Sequence, residues 1–163
     1  MIIIVIVVIL AFIIFLYKIY HDKLIFLNIK INCVEEKLKS SLLKQKELLK
    51  DSEILIKEIL NTQKAIYENF DNEINNASDI IELDRTILIY VNEFELIKNK
   101  YETLNESDEF DKISFQISET NDQITSYKSY YNDVIEKYNK LIKKFPIIFT
   151  NIIKRRKRKL YFN

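Results

Sequence analysis

Glycine is absent from this chain, and proline, cysteine, histidine and methionine each occur once. Without glycine, tight turns at positive φ fall to Asn or Asp, which reach that region less easily. A β-rich fold needs many such turns and a helical fold few, so the gap points to helices. A bias toward Ile, Lys, Asn, Tyr and Phe, as in an AT-rich genome, would suppress glycine independently. The single Cys33 excludes an intrachain disulfide and a cysteine metal cluster. The single His21 cannot supply the paired Glu-x-x-His motifs of a carboxylate-bridged bundle site, nor, with Cys33 alone, a structural zinc site. His21 and Cys33 lie well over a helical turn apart, too far for a nucleophile and its base. A phosphate-cradling loop needs glycines that are missing. The remaining carboxylates are spread over helix faces, so the sequence predicts neither an enzyme nor a cofactor.

What is present is asymmetric. The formal net charge of +1 hides an unbroken run of six cations, Lys154, Arg155, Arg156, Lys157, Arg158 and Lys159, and a mainly acidic stretch from Asp71 to Asp84. Hydrophobic residues make up 48% and charged residues 30%, enough for a core and a solvated exterior. A length of 163 residues leaves room for one domain plus an anchor.

Ile2 to Leu16 is continuously apolar, and Tyr17, Ile19 and Tyr20 extend the run past Lys18. As a helix, Ile2 to Tyr20 rises about 28 Å, close to the hydrocarbon thickness of a bilayer. Tyr17 and Tyr20 fall where interfacial aromatics belong, and Lys18 can snorkel. A cleaved signal peptide would have a basic start and a small-residue cleavage site, and neither is there. Cys33 lies too far beyond the apolar run for a lipoprotein cysteine. Lys18, Lys23 and Lys30 flank one side only, which predicts a single-pass protein of the cell membrane, N-terminus outside and body cytoplasmic.

Downstream, apolar residues recur at spacings of three and four. Leu24, Leu27, Ile31, Val34, Leu38 and Leu42 form a first stripe continuing the anchor. Asp51-Ser52 reads as a break, followed by a second stripe of Leu55, Ile59, Ile66, Phe70 and Ile74. Asn75, Asn76, Ser78 and Asp79 supply a turn. A third stripe runs from Ile80 through Ile87, Val91 and Phe94 to Leu104. The fourth, from Phe110 through Ile117, Thr120, Ile124, Tyr131 and Tyr138 to Phe145, is the longest, and Pro146 ends it. The expected fold is all-α: an N-terminal single transmembrane helix leading into an antiparallel four-helix bundle. Its expected parts are an anchor over 1–20, a bundle over 21–146 and an apolar, then polybasic tail over 147–163. Four antiparallel helices would return Phe145 to the bilayer side.

The fourth helix carries a recognisable pattern. Ser118-Glu119-Thr120, Ile124, Lys128, Tyr131-Asn132, Tyr138-Asn139, Ile142, Phe145-Pro146 and Tyr161-Phe162 follow one another without a gap. This stretch resembles the LemA family, whose C-terminal half carries T-E-T-E-N-x-I, then R-x-x-Y-N-x5-Y-N-x-x-I-x-x-F-P, closing near Y-F. Val34-Glu35-Glu36 resembles the acidic pair of the family's first helix, while Lys50 and Glu102 stand where the family carries prolines. The resemblance implies a membrane-anchored helical bundle with a short outside N-terminus and a cytoplasmic body. It implies no enzymatic role, and one branch of the family is associated with bacterial organelle membranes.

Residue by residue, Tyr131 and Tyr138 fall on the stripe, so their rings should fill the core with each hydroxyl partnered. Asn132 and Asn139 flank the stripe, where they could bond across to a neighbouring helix or line a groove for a partner. Glu119 and Lys128 read as bridging charges. The cations from Lys154 to Lys159 are the candidate contact with anionic lipid headgroups, and nucleic acid is disfavoured because no recognition element accompanies them. The expected function is a membrane-anchored scaffold or adaptor holding a protein partner, with a self-associating, membrane-organising protein as the alternative.

Overall fold

The computed structural model describes residues 1–144 and 158–162. Among these there is no strand, and the chain is all-α as its periodicity predicts. The helices are α1 (Ile2–Ile59), α2 (Phe70–Asn76), α3 (Ile80–Lys100) and α4 (Asp108–Leu141), with a 3-10 turn at Glu102–Glu106. The chain divides into two compact units, one of residues 1–35 and 128–163, the other of residues 36–127.

The expected break at Asp51-Ser52 does not occur, because α1 is one helix of 58 residues. Leu38, Leu42, Gln45, Leu49, Ser52 and Ile56 keep the four-three alternation, and each is at most 1% exposed. Gln45 and Ser52 are polar members of a core stripe, which disguises its continuity. Ser52 stays helical by donating to the Leu49 carbonyl at 2.7 Å, and its oxygen lies 3.0 Å from the Tyr67 hydroxyl. The second expected helix shrinks accordingly to the seven residues of α2.

In the unit of residues 36–127, the end of α1 solves the missing-glycine problem. Asn61 takes φ 46°, Asn61 N–H donates to Glu58 O at 3.2 Å and Thr62 N–H to Lys57 O at 3.0 Å. This is a Schellman closure with Asn in the position glycine usually holds. Asn69, at φ 61°, starts α2. The turn at 75–79 needs no positive φ. There Asp79 caps α3 by accepting from the Ile81 and Glu82 N–H groups, each at 2.9 Å. Glu82 in turn accepts from the Ser78 hydroxyl at 2.6 Å and the Ser78 N–H at 2.7 Å, and these two bonds hold its carboxyl below the usual range. Tyr67, Phe70 and Tyr90 form an aromatic cluster with centroids 4.7 to 5.9 Å apart. Phe94 and Phe110, both fully buried, pack at 5.6 Å.

The other unit begins with exposed apolar residues: Ile2 to Leu10 are each half or more exposed. The N-terminal end of α1 holds an 18-residue window that is, by length and composition, apolar enough to cross a membrane. Farther along, Leu24, Leu27, Ile31 and Val34 are buried. From α4, Tyr131, Val134, Ile135, Tyr138 and Leu141 are buried in the same unit.

Candidate functional site

The unit of residues 1–35 and 128–163 holds the least ordinary arrangement in the molecule. On α4, Tyr131 and Tyr138 are buried and one heptad apart. The residue after each lies about 100° farther round the helix, so Asn132 and Asn139 border the same stripe. Each asparagine amide closes a two-bond ring with one residue of the C-terminal segment. Asn139 Nδ2 donates to Lys159 O and Lys159 N–H to Asn139 Oδ1, both at 3.1 Å. Asn132 Nδ2 donates to Phe162 O at 2.8 Å, and Phe162 N–H to Asn132 Oδ1 at 2.9 Å. A primary amide supplies donor and acceptor side by side in this way.

The spacing follows from helix geometry. Seven residues of α-helix advance about 10.5 Å, and three residues of extended chain about 9–10 Å. Asparagines at i and i+7 therefore meet backbones at j and j+3. Two residues three apart that turn the same side to a partner do not fit the twofold alternation of a strand. Leu160 and Tyr161, between the gripped residues, are exposed at 69% and 45%.

Side chains fix the direction of the segment. The Phe162 ring is buried and meets Tyr131 edge-on at 5.0 Å and 78°, a contact worth about 0.5–1.5 kcal/mol beyond area burial. The Tyr131 hydroxyl donates to Glu35 Oε1 at 3.0 Å. Burial, then the bond to Glu35 and its charge, raise the Tyr131 hydroxyl well above the ordinary tyrosine range, so it stays a neutral donor. Lys159 Nζ reaches the same Glu35 oxygen at 3.4 Å. Tyr161 Oη lies 3.4 Å from Asn139 Nδ2. Each neutral bond contributes about 0.5–1.5 kcal/mol net, while fixing each backbone residue costs about 1–2 kcal/mol. The segment is thus held by a margin small beside its gross contacts.

Several expected site residues take different places. Tyr131, Asn132, Tyr138 and Asn139 come together here, and the asparagines bond the returning C-terminal segment, where a neighbouring helix was expected. Glu119 is exposed on α4 and Ile124 is buried. Thr120 is fully buried, and its hydroxyl, like Gln45 Oε1, has no hydrogen-bond partner among the described residues. Gln45 Nε2 does donate to the Ile117 carbonyl at 3.2 Å. Arg158 is exposed and Lys159 half-buried; Phe145, Pro146, Lys154, Arg155, Arg156 and Lys157 lie outside the described residues. Sequence reasoning did not join Glu35 and Phe162 to this cluster. The available signal was the heptad spacing of the two asparagines.

The chain has no significant match among curated proteins or solved structures. The LemA family model matches residues 35–163. That match begins at Glu35, the residue that holds Tyr131 and Lys159, and takes in both asparagines and the segment they grip. The chain belongs to the LemA family.

Proposed function

We propose that this protein is a non-catalytic, membrane-anchored scaffold or adaptor working at the cytoplasmic face. The observation that carries the reading is the continuity of α1. One helix presents an exposed apolar run and then, without interruption, the buried stripe from Leu24 onward. Such a helix holds a packed body at a fixed distance from a bilayer. Lys18, Lys23 and Lys30 on the body's side support a cytoplasmic orientation, and Lys30 Nζ sits 4.5 Å over the Phe26 ring.

The tail adds a second membrane contact. Each cation near an anionic leaflet contributes roughly 1 kcal/mol, and six stand in a row. Protease outside intact cells should leave a C-terminal tag whole and remove it once the membrane is opened; digestion from outside would reverse the orientation. For the tail, trypsin should cut the run from Lys154 to Lys159 more slowly in anionic than in neutral nanodiscs. Salt should remove that protection. Equal cleavage in both lipids would show a solvated tail.

A further inference from the structure

The cleft built by Glu35, Tyr131, Asn132 and Asn139 recognises its occupant chiefly through backbone groups, one ring and the Lys159 ammonium. Apart from the Tyr131–Glu35 bond within the cleft, every bond named above engages Lys159, Tyr161 or Phe162, so recognition depends on that short segment and not on how it is tethered. We propose that the cleft is a strand-exchange site: it takes the Lys159–Phe162 segment of a second copy as it takes its own, linking anchored chains into oligomers. The ligand class is an extended peptide with a cation three residues before an aromatic.

The tether supports exchange. Lys159 sits directly against Asn139, two residues from the end of α4 at Leu141. Closing the chain on itself therefore needs only a short reversal. Yet sixteen residues separate Leu141 from Arg158, and such a length can extend to about 50 Å. The same contacts form in cis and in trans, so contact energy does not choose between them; effective concentration does. Glu35 follows Tyr20 by fifteen residues on the same helix, which sets the cleft about 22 Å along the helix from the anchor's end. Copies anchored in one membrane therefore present cleft and segment at matching heights.

Two versions of the anchored chain, with different N-terminal tags and co-expressed, test this. One carries Asn132→Ala and Asn139→Ala and keeps its C-terminal segment. The other keeps the cleft and ends at Lys157. In the mixed pair an intact clamp can form only between copies. Capturing one in detergent should recover the other at least about tenfold above both like-with-like pairs, and adding Phe162→Ala to the first version should abolish the excess. No excess overturns the exchange. Circular dichroism checks both versions, and Asn132→Leu with Asn139→Leu replaces the first if its helices are lost. Independently, a peptide of residues 154–163 should bind the shortened chain saturably in neutral-lipid nanodiscs. Its Phe162→Ala form should bind at least about tenfold more weakly. Equal binding of the two peptides overturns recognition by the cleft. Peptide binding without mixed-pair capture overturns exchange between copies. The peptide arm requires neither a membrane orientation nor anionic lipid, so its failure and a failure of the topology proposed above are read separately.

Discussion

The unit of residues 36–127 and the unit of residues 1–35 and 128–163 share α1 and α4 and hold together differently. In the former, helix ends are closed by local devices: Asn61 after α1, Asp79 before α3, and Ser107 Oγ accepting from the Phe110 N–H at 3.3 Å. Its aromatic cluster joins Tyr67, Phe70 and Tyr90 within one short stretch of chain, Ser52 meets Tyr67 across 15 positions, and the farther Gln45–Ile117 bond spans 72. The latter depends on chain closure, since Glu35 meets Tyr131 across 96 positions and Lys159 across 124. Contacts between such distant positions form only after a large loop has closed, while local caps and turns are available early. The unit built from local devices should therefore resist damage globally, and the one that needs closure should open at its edge.

The largest test sets Phe94 against Phe162, each at most 3% exposed. Phe94→Ala should cost about 3–5 kcal/mol, read as a fall in the thermal midpoint. Phe162→Ala should leave that midpoint nearly unchanged, while hydrogen exchange and proteolysis at Arg158 to Tyr161 accelerate. A fall in the midpoint as large as that of Phe94→Ala would make the two regions equivalent.

Alkali should act next. Burial, then the bond to Glu73 and its charge, raise the Tyr90 hydroxyl from 10.0 to about 12. Burial likewise raises Tyr67, outweighing its bond to Ser52. Their protonated forms are favoured in the folded state, so the associated stability is complete below pH 10 and is lost as pH rises toward 12. Denaturant midpoints should fall over that window, and Tyr90→Phe should flatten part of the fall. A midpoint insensitive to pH up to 12 would remove these hydroxyls from the core.

A smaller effect belongs to the cap. Asp79→Ala removes acceptors for two N–H groups and should cost about 1 kcal/mol, measured by urea unfolding. The smallest concerns Thr120, whose buried hydroxyl lacks a partner among the described residues. Thr120→Val keeps the shape and removes that burden, so stability should rise by up to about 1 kcal/mol. A loss greater than that would mean the hydroxyl is satisfied in solution.

Much of the helical layout is legible in the letters. Leu24 through Leu42 repeat with the period of one helix face, and each member is buried as the pattern requires. Polar core members mislead, however. Ser52 looks like a cap until Tyr67 supplies its hydroxyl with a partner. Likewise, Asn61 and Asn69, not the Asn-rich stretch at 75–76, take positive φ, and at Asn61 the closing bonds at the end of α1 decide it. The candidate site was half legible. The Tyr131-Asn132 and Tyr138-Asn139 spacing marks a helix edge, but the asparagines bond backbone groups, which every residue carries. No letter at 159 or 162 announces that partnership.

The unbroken course of α1 also fixes an angle. Between Tyr20 and Leu24 no turn or kink lets the apolar run rotate independently of the buried stripe. One residue inserted there turns one against the other by about 100° and lengthens the helix by about 1.5 Å. Seven inserted residues lengthen it by about 10.5 Å and restore the original angle to within about 20°. The helix is thus a keyed shaft: its reach changes freely in steps of two turns, while its azimuth is set by counting residues.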